Sequence, residues 1–378
     1  MRIGKYVRFL TFDDRIFAYN AINGGLCEVE QTVYEKIMEG RFDEIRLVDP
    51  TIYNELRKTF YIVSDDFDEL SFVKYQTWKS KFKNDVFAIT IAPTMDCNFK
   101  CFYCYQQDYK QPEYMSKETA DKVISFIKQL INQNTKVSVA WYGGEPLNAI
   151  IKIVQVTIDG PREVNDRRRP HKNGGPVYDI IVKNLKDNAH FFERISVRIN
   201  VDKTNERFIS DLLEELKSMP NNIHPYLAPL HTDNVSNVTF SGICYDSKDF
   251  GLEVENRPEL VSLLKYPQPN YGVCGATKEN SFCVDPEGYL YKCWNEVGQK
   301  EKSIGSVESH ITNYERYLKW ITFDPSNYSE CGECPILPIC NAFGCPYRIL
   351  FPEETGYAKE CLSDKFNLEK NNYNYKIL

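Results

Sequence analysis

Apolar-rich, strand-like runs lie at Tyr6–Leu10 and Arg15–Tyr19, followed by a Gly24-Gly25 turn. Short helical candidates lie near Val33–Met38 and Ile52–Lys58, and Phe60–Val63 reads as another strand. The run Val86-Phe87-Ala88-Ile89-Thr90-Ile91, stopped by Pro93, is continuously apolar, as strands buried on both faces are. Beyond it, Ser116 can cap a helix whose apolar positions Ala120, Val123, Ile124, Ile127, Leu130 and Ile131 recur at a period of 3.6. Val137, Val139 and Trp141 then alternate as a strand running into Gly143-Gly144. Further strands are predicted at Ile153–Ile158, Ile195–Val201 and Ile223–Leu227, with helices at 177–189 and 206–217 between them. The middle of the chain is therefore α/β, with parallel strands and polar residues gathered at the strand ends. No internal repeat or low-complexity tract interrupts it, and the tail Asn371–Tyr375 is polar and tyrosine-rich.

Composition narrows the class. The chain has 378 residues, 42% hydrophobic and 26% charged, ordinary for a soluble protein of two or three domains. Its net charge of −7 lacks the basic footprint of a nucleic-acid binder. No apolar run is long enough to cross a membrane, and Met1–Lys5 is followed by no apolar signal region, so a cytoplasmic protein is expected. The unusual feature is thirteen cysteines, an odd number that argues against a closed disulfide set and for thiols used on metal. Cys97, Cys101 and Cys104 form one group, and Cys274, Cys283, Cys293, Cys331, Cys334, Cys340, Cys345 and Cys361 a second. Cys27 and Cys244 stand apart.

Cys97-x3-Cys101-x2-Cys104 directly follows the buried strand, in a loop rich in Asp, Asn and Lys that does not suit cysteines packed as small hydrophobes. Structural zinc sites want four closing ligands from paired Cys-x2-Cys units, which a 3-then-2 spacing does not supply. Three thiolates on one tight loop suit an iron–sulfur cube with one iron left open. This spacing, with Tyr103 before the last cysteine, resembles the radical S-adenosylmethionine (SAM) superfamily. The resemblance implies that the open iron holds SAM through its amino and carboxylate groups and that a 5′-deoxyadenosyl radical abstracts a substrate hydrogen. Gly143-Gly144-Glu145-Pro146 resembles the family's strand-end motif, in which the glycines admit the ligand and Glu145 accepts from the SAM ammonium. Thr157-Ile158-Asp159-Gly160 is similar to its Ser-x-Asp-Gly, placing Thr157 and Asp159 near SAM ribose and carboxylate. Arg198-Ile199-Asn200 resembles its Arg-x-Asn, so Arg198 and Asn200 are expected SAM contacts.

One departure concerns the barrel. Only six residues separate Pro146 from Ile153, where radical SAM barrels place a helix, a strand and another helix. A parallel crossover needs about a dozen residues. The expected fold is thus a partial (β/α)6 barrel lacking one helix–strand–helix unit, over 84–232, either five-stranded or with the strand before Thr157 rerouted. Strands and short helices over 1–83 suggest a winged-helix-like module; 233–272 bridges to a cysteine-rich region at 273–378.

That last region pairs a tight hairpin, Asp285-Pro286-Glu287-Gly288, with Cys331-x2-Cys334-x5-Cys340-x4-Cys345. It resembles the SPASM domain, which carries two auxiliary 4Fe–4S clusters in radical SAM enzymes acting on peptides and proteins. The resemblance implies Cys274, Cys293 and Cys345 for one cluster and Cys331, Cys334, Cys340 and Cys361 for the other. The family usually has three residues between the last two cysteines of the knotted loop, whereas Asn341–Gly344 make four. The fourth ligand of the first cluster stays open between Cys283, Cys244 and a free iron that grips substrate, and Cys283 is equally a core residue.

Anaerobic sulfatase maturases, which make formylglycine, carry an acidic residue after the hairpin cysteine; here that position is Trp294. The favoured expectation is a maturase that forms a thioether or carbon crosslink in a small ribosomally made precursor peptide. Residues 1–83 would bind the leader by strand addition, and flavodoxin or ferredoxin would donate electrons. Sulfatase-maturase chemistry, a zinc-binding module built on Cys331–Cys345, and a catalytically dead leader-binding protein are the alternatives. Arg167-Arg168-Arg169 is expected as a solvated loop, and no histidine has ligand spacing.

Overall fold

The computed structural model describes residues 1–12, 14–97, 99–102, 104, 113–143, 153–230, 268–272, 274–340 and 345–355. The chain forms two compact units: Met1–Asn84 with Lys265–Asn280 and Leu318–Leu378, and Asp85–Leu264 with Ser281–Tyr317. This differs from a division at 83, 232 and 272. The N-terminal residues share a unit with the end of the cysteine-rich region, whose hairpin belongs to the other. Gly144, Glu145, Pro146, Cys244 and Cys361 lie outside the described residues.

In the first unit, β1 (Arg2–Ile3) precedes an antiparallel sheet of β2 (Val7–Phe12), β3 (Arg15–Asn20) and β4 (Gly25–Val29), in that order. Three short helices follow, α1 (Gln31–Met38), α2 (Phe42–Val48) and α3 (Pro50–Lys58), then β5 (Ile62–Val63), which pairs with β1, and α4 (Glu69–Lys81). Pro50 opens α3 behind Asp49, whose carboxylate accepts from the amides of Thr51 (2.9 Å) and Ile52 (3.0 Å). Strand β4 and helices α2 and α4 are absent from the sequence reading. In α4 the buried residues are Glu69, Val73, Thr77 and Lys81, so apolar periodicity does not mark it.

Strand β3 is buried on both faces, which explains the shared core. Ile16 and Ala18, with Val7 and Val29, pack against Ile37, Phe42, Ile45, Tyr53 and Leu56 of the three helices. Phe17 and Tyr19, with Tyr6 and Leu10, pack instead with Val73 and with Phe323, Cys331, Ile336, Leu337 and Ile339 from the end of the chain. Polar ties reinforce this face. Lys5 Nζ donates to the Gly332 carbonyl (2.8 Å), and buried Glu69 accepts from Arg2 (2.5 Å) and the Lys5 amide (2.9 Å).

The second unit contains β6 (Val86–Thr94), α5 (Lys117–Leu130), β7 (Lys136–Gly143), β8 (Ile153–Thr157), α6 (Arg162–Arg168), α7 (Tyr178–Asn188), β9 (Arg194–Val201), α8 (Ile209–Leu216) and β10 (Ile223–Pro229). It continues through β11 (Ser281–Val284), β12 (Tyr289–Tyr291), β13 (Gly305–Ser306) and β14 (His310–Ile311), and α9 (Tyr314–Ile321) is divided between the units at Tyr317. The Ser116 hydroxyl caps α5 by accepting from the Thr119 amide at 3.0 Å. All five parallel strands expected between residues 84 and 227 form, but they hydrogen-bond as a pair, β6–β7, and a triplet in the order β10-β9-β8. Among the described residues β7 and β8 are not paired. Instead β11 lies parallel to the other edge of β6, and its hairpin extends that sheet to the order β14-β13-β12-β11-β6-β7. Apolar residues of α7 and α8, such as Leu185, Leu212 and Leu216, cover the triplet through Val197 and Ile199. No helix among the described residues is long and apolar enough to cross a membrane.

Lys81 is buried in the first unit and donates from Nζ to the Phe323 carbonyl at 2.7 Å. Burial, opposed by the charge of Asp324, pulls its pKa down to about 8. Between that value and the lysine pKa of about 10.4 in an unfolded chain, the folded state holds fewer protons, so stability rises with pH. The expected gain across this window is about 3 kcal/mol in full. It should appear as a urea midpoint that climbs from pH 8 to 10 in the wild type and stays flat in Lys81→Met.

Candidate functional site

The first cysteine group leaves the C-terminal end of β6 in a loop closed at its base. Thr94 Oγ1 donates to the Glu113 carbonyl (2.7 Å), and the Met115 amide donates to the Pro93 carbonyl (2.7 Å). Within the loop the Phe99 amide points at Cys97 Sγ (3.4 Å), and the Cys104 amide bonds the Cys101 carbonyl (3.2 Å). Cys101 is buried, while Cys97 and Cys104 are partly exposed. Burial pushes the Cys101 thiol pKa up; the charge of Arg169 opposes this, while Asp159, Cys104 and Cys97 add to it. A buried sulfur among two further thiols is a poor place for a bare thiolate and a good one for a thiolate bound to metal, which supplies the missing positive charge. Among the described residues no three or more His, Cys, Asp or Glu side chains are gathered closely enough to hold a metal ion as they stand. The donor set nevertheless fits a cluster, being three thiols on one short loop with an N–H bond to sulfur already in place.

The expected SAM contacts collect at the ends of β8 and β9. Asp159 is fully buried, and its carboxylate accepts from the Asn200 amide (3.2 Å) and Nδ2 (3.1 Å). Asn200 Oδ1 in turn accepts from Arg198 Nε at 2.8 Å. Thr157 and Arg198 occupy one paired register of β8 and β9, and both are partly exposed. Gly160 turns the chain into α6 with φ +157°, and a Cβ there would meet Val164 at 2.6 Å. Gly143 ends β7.

Arg168, expected in a solvated loop, is instead buried at 3% exposure in the last turn of α6. Its Nη1 donates to Asp202 (2.9 Å) and Thr204 (2.8 Å), and its Nε lies 3.6 Å from Asp159. Asn205 completes the knot, donating to the carbonyls of Asp159 (2.6 Å) and Asn200 (2.8 Å). The sequence signal was available but faint: Val164, Asn165 and Arg168 share one helical face, and Asp202–Asn205 directly follows β9. A buried guanidinium is tolerable only beside such carboxylates.

The second cysteine group divides between the units. Cys331, Cys334 and Cys340 belong to the apolar core of the first unit, while Cys274 precedes a 3-10 turn and Cys345 the helix Pro346–Leu350. Cys293 and Cys283 belong to the second unit. Cys283 packs with Ala92, Met95, Tyr291 and Val297, as a core cysteine does. Cys293 caps the turn Trp294–Glu296 through its sulfur, and buried Glu296 is held by Arg316 (2.5 Å). Asp285 anchors the preceding hairpin, accepting from the Tyr289 amide (2.9 Å) and the Tyr291 hydroxyl (2.8 Å), with Gly288 at φ +90°. Tyr142, the residue before Gly143, links the two groups within this unit. Burial first, then Cys283, Cys104 and Cys293, pushes its hydroxyl pKa up, and its ring stacks on half-exposed Trp294 at 6.1 Å. No motif distinguishes Tyr142 in the sequence.

Arg168→Met should destabilise the second unit by about 3–5 kcal/mol, because it leaves two buried carboxylates without their cation. Adding Asp202→Asn to that variant should recover part of the loss. Urea denaturation of the two variants and the wild type measures both effects.

The family described as "4Fe-4S single cluster domain" matches residues 90–208, which include the cysteine loop and the strand ends. A radical SAM cyclopropyl synthase, TigE of Paramaledivibacter caminithermalis, is 24% identical over 429 residues, covering 90% of this chain and 88% of its own. That alignment is longer than the 378 residues here, so it includes positions where this chain has none. Streptococcus suis SuiB bound to precursor peptide SuiA superposes with a TM-score of 0.52 and 14% identity, covering 96% of this chain and 99% of that one. The anSMEcpe structure with bound AdoMet and Cp18Cys peptide gives a TM-score of 0.52 and 16% identity over 77% and 94%. The fold is that of the SuiB and anSMEcpe structures, the Cys97–Cys104 loop lies at a parallel strand end inside the segment that the iron–sulfur family matches, and the chain is similar over most of its length to a radical SAM enzyme.

Proposed function

We propose that this enzyme modifies a ribosomally made precursor peptide by abstracting a hydrogen atom and forming a new bond within it. The observation that carries the reading is the closed Cys97–Cys104 loop at the end of β6, in one compact unit with the polar ends of β8 and β9. A 4Fe–4S cluster bound there with an open iron would supply the electron for reductive cleavage of SAM. Cys97, Cys101 and Cys104 would hold it. Gly143, Gly144, Glu145 and Pro146 would receive the SAM amino group, while Thr157 and Arg198, side by side on adjacent strands, would face its ribose and carboxylate. Asp159 and Asn200 act one step back, since their mutual hydrogen bonds hold the two strand ends in register.

The second cysteine group would carry two auxiliary clusters, on Cys274, Cys293 and Cys345 and on Cys331, Cys334, Cys340 and Cys361. Residues 1–83 would take the leader peptide by adding a strand to the β2–β3–β4 sheet, whose end strand β4 exposes Cys27 and Glu28. Likeness to a cyclopropyl synthase over 90% of the chain favours a carbon–carbon product over a thioether. Trp294 occupies the place of a maturase base and offers an aromatic face, not a carboxylate, which disfavours formylglycine formation. The barrel would be a partial one, with β7 and β8 in different sheets and nine residues between Gly143 and Ile153.

Reconstituted anaerobically with iron and sulfide, the protein should be brown and hold about twelve irons, four for each of three clusters. With SAM and reductant it should release 5′-deoxyadenosine. Replacing Cys97, Cys101 and Cys104 by Ala should remove about four irons and all of that product. A colourless protein holding zinc would overturn the reading in favour of a binding module. Clusters that never cleave SAM would leave a leader-binding protein. On a precursor peptide, mass spectrometry should show a loss of two hydrogens per bond formed.

A further inference from the structure

We propose that Arg169 is a positioning residue that raises the reduction potential of the cluster held by Cys97, Cys101 and Cys104. This rests on the reading of that loop given above. The chain leaving α6 lies along the cysteine loop as a strap. Phe99 and His171 form an antiparallel backbone bridge, and the Lys100 amide donates to the Pro170 carbonyl at 3.1 Å. Side chains repeat the pairing: Arg168 Cζ lies 5.3 Å from the Phe102 ring centre, Arg169 Cζ 5.1 Å from that of Phe99, and Lys172 3.5 Å from Asp96. Guanidinium-over-ring contacts of this kind are attractive, so the strap meets both phenylalanines that flank the cysteines.

The two arginines differ in what their charge does. That of Arg168 is met by Asp202 and Asp159, which also fixes the end of α6 from which the strap starts. The guanidinium of Arg169 instead lies on the cysteine loop itself, beside the Lys100–Pro170 backbone bond and over the ring of Phe99, which is two residues from both Cys97 and Cys101. Each electron added to a cluster with three thiolate ligands makes it more negative by one unit. A fixed cation beside it therefore stabilises the reduced form more than the oxidised form and raises the potential. Between this strap and the cysteine loop lies more than sixty residues of sequence, so only the fold brings the charge to the thiols.

The test is a redox titration of the reconstituted full chain, following by EPR the part of the reduced-cluster signal that SAM perturbs. Arg169→Gln should lower the midpoint so that, at a fixed solution potential, the reduced-to-oxidised ratio falls about tenfold, 59 mV for one electron. Arg169→Lys, which keeps the charge and loses the planar stacking, should stay close to the wild type. Exposed Arg167→Gln should leave the midpoint in place. An unmoved midpoint in Arg169→Gln at wild-type iron content overturns the proposal, as does a fall in Arg169→Lys equal to that in Arg169→Gln. Should Arg169→Gln fail to hold iron, the lysine variant decides, since a retained potential supports the charge and a lost one refutes it. A wild type with no SAM-sensitive cluster signal overturns the functional reading itself, and this inference with it.

Discussion

A guanidinium with almost no exposure to water is the constraint around which the catalytic half is arranged. Arg168 gives up its hydration, and its charge is balanced by Asp159 and Asp202 together, with Nη1 hydrogen-bonded to Asp202 and Thr204. Those carboxylates sit just beyond β8 and β9. Their meeting point fixes how far each parallel strand extends and where the next segment begins. Asn200 and Asn205 spread the same requirement across both strand ends, since each hydrogen bond they make would leave a buried polar atom unmatched if the register slipped. The polar knot thus sets the geometry of the surface on which Thr157 and Arg198 are displayed, and through Phe102 it touches the cysteine loop.

A second constraint governs the other unit. An 84-residue segment of short strands and short helices has limited apolar surface to bury alone, and β3 has large apolar residues on both faces. One face is satisfied by α1, α2 and α3. The other needs a partner, and the tail supplies it with Phe323, Ile336, Leu337 and Ile339 among the cysteines Cys331, Cys334 and Cys340. A metal bound by cysteines embedded in such a core would link its loading to the folding of the N-terminal segment, because a thiolate that gains a metal there also fixes the residues packed around it.

Much of this organisation was legible in the sequence. Strand β6 announced itself as a continuous apolar run, β7 by the alternation of Val137, Val139 and Trp141, and the helix after Ser116 because its stripe is apolar and its cap is a serine. The cysteine loop was legible because ligand chemistry restricts spacing more tightly than packing does. Strand β4 and helix α4 escaped for the opposite reason: Cys27 and Glu28 are exposed, and the buried face of α4 holds Glu69, Thr77 and Lys81, whose place depends on partners far along the chain. Arg168 misled most. Three consecutive arginines look solvated in any local window, and only residues 34 and 36 positions away make the middle one a core residue.

The short connection after Gly143 shows how topology resolves what sequence arithmetic makes paradoxical. A dozen residues or more are required when the two parallel strands are neighbours, because the chain must return along the full length of the first before starting the second. Strand β8 hydrogen-bonds to β9, and β7 to β6, so that requirement does not apply between them. On its other edge β6 is paired with β11, which the hairpin of the cysteine-rich region delivers in parallel. A strand from the cysteine-rich region therefore stabilises the strand that carries the Cys97–Cys104 loop, and Tyr142 on β7 sits near Cys104 from the one group and Cys283 and Cys293 from the other. The cysteine loop thus depends on β6, which is held on one edge by β7 and on the other by β11, and not on a strand between β7 and β8.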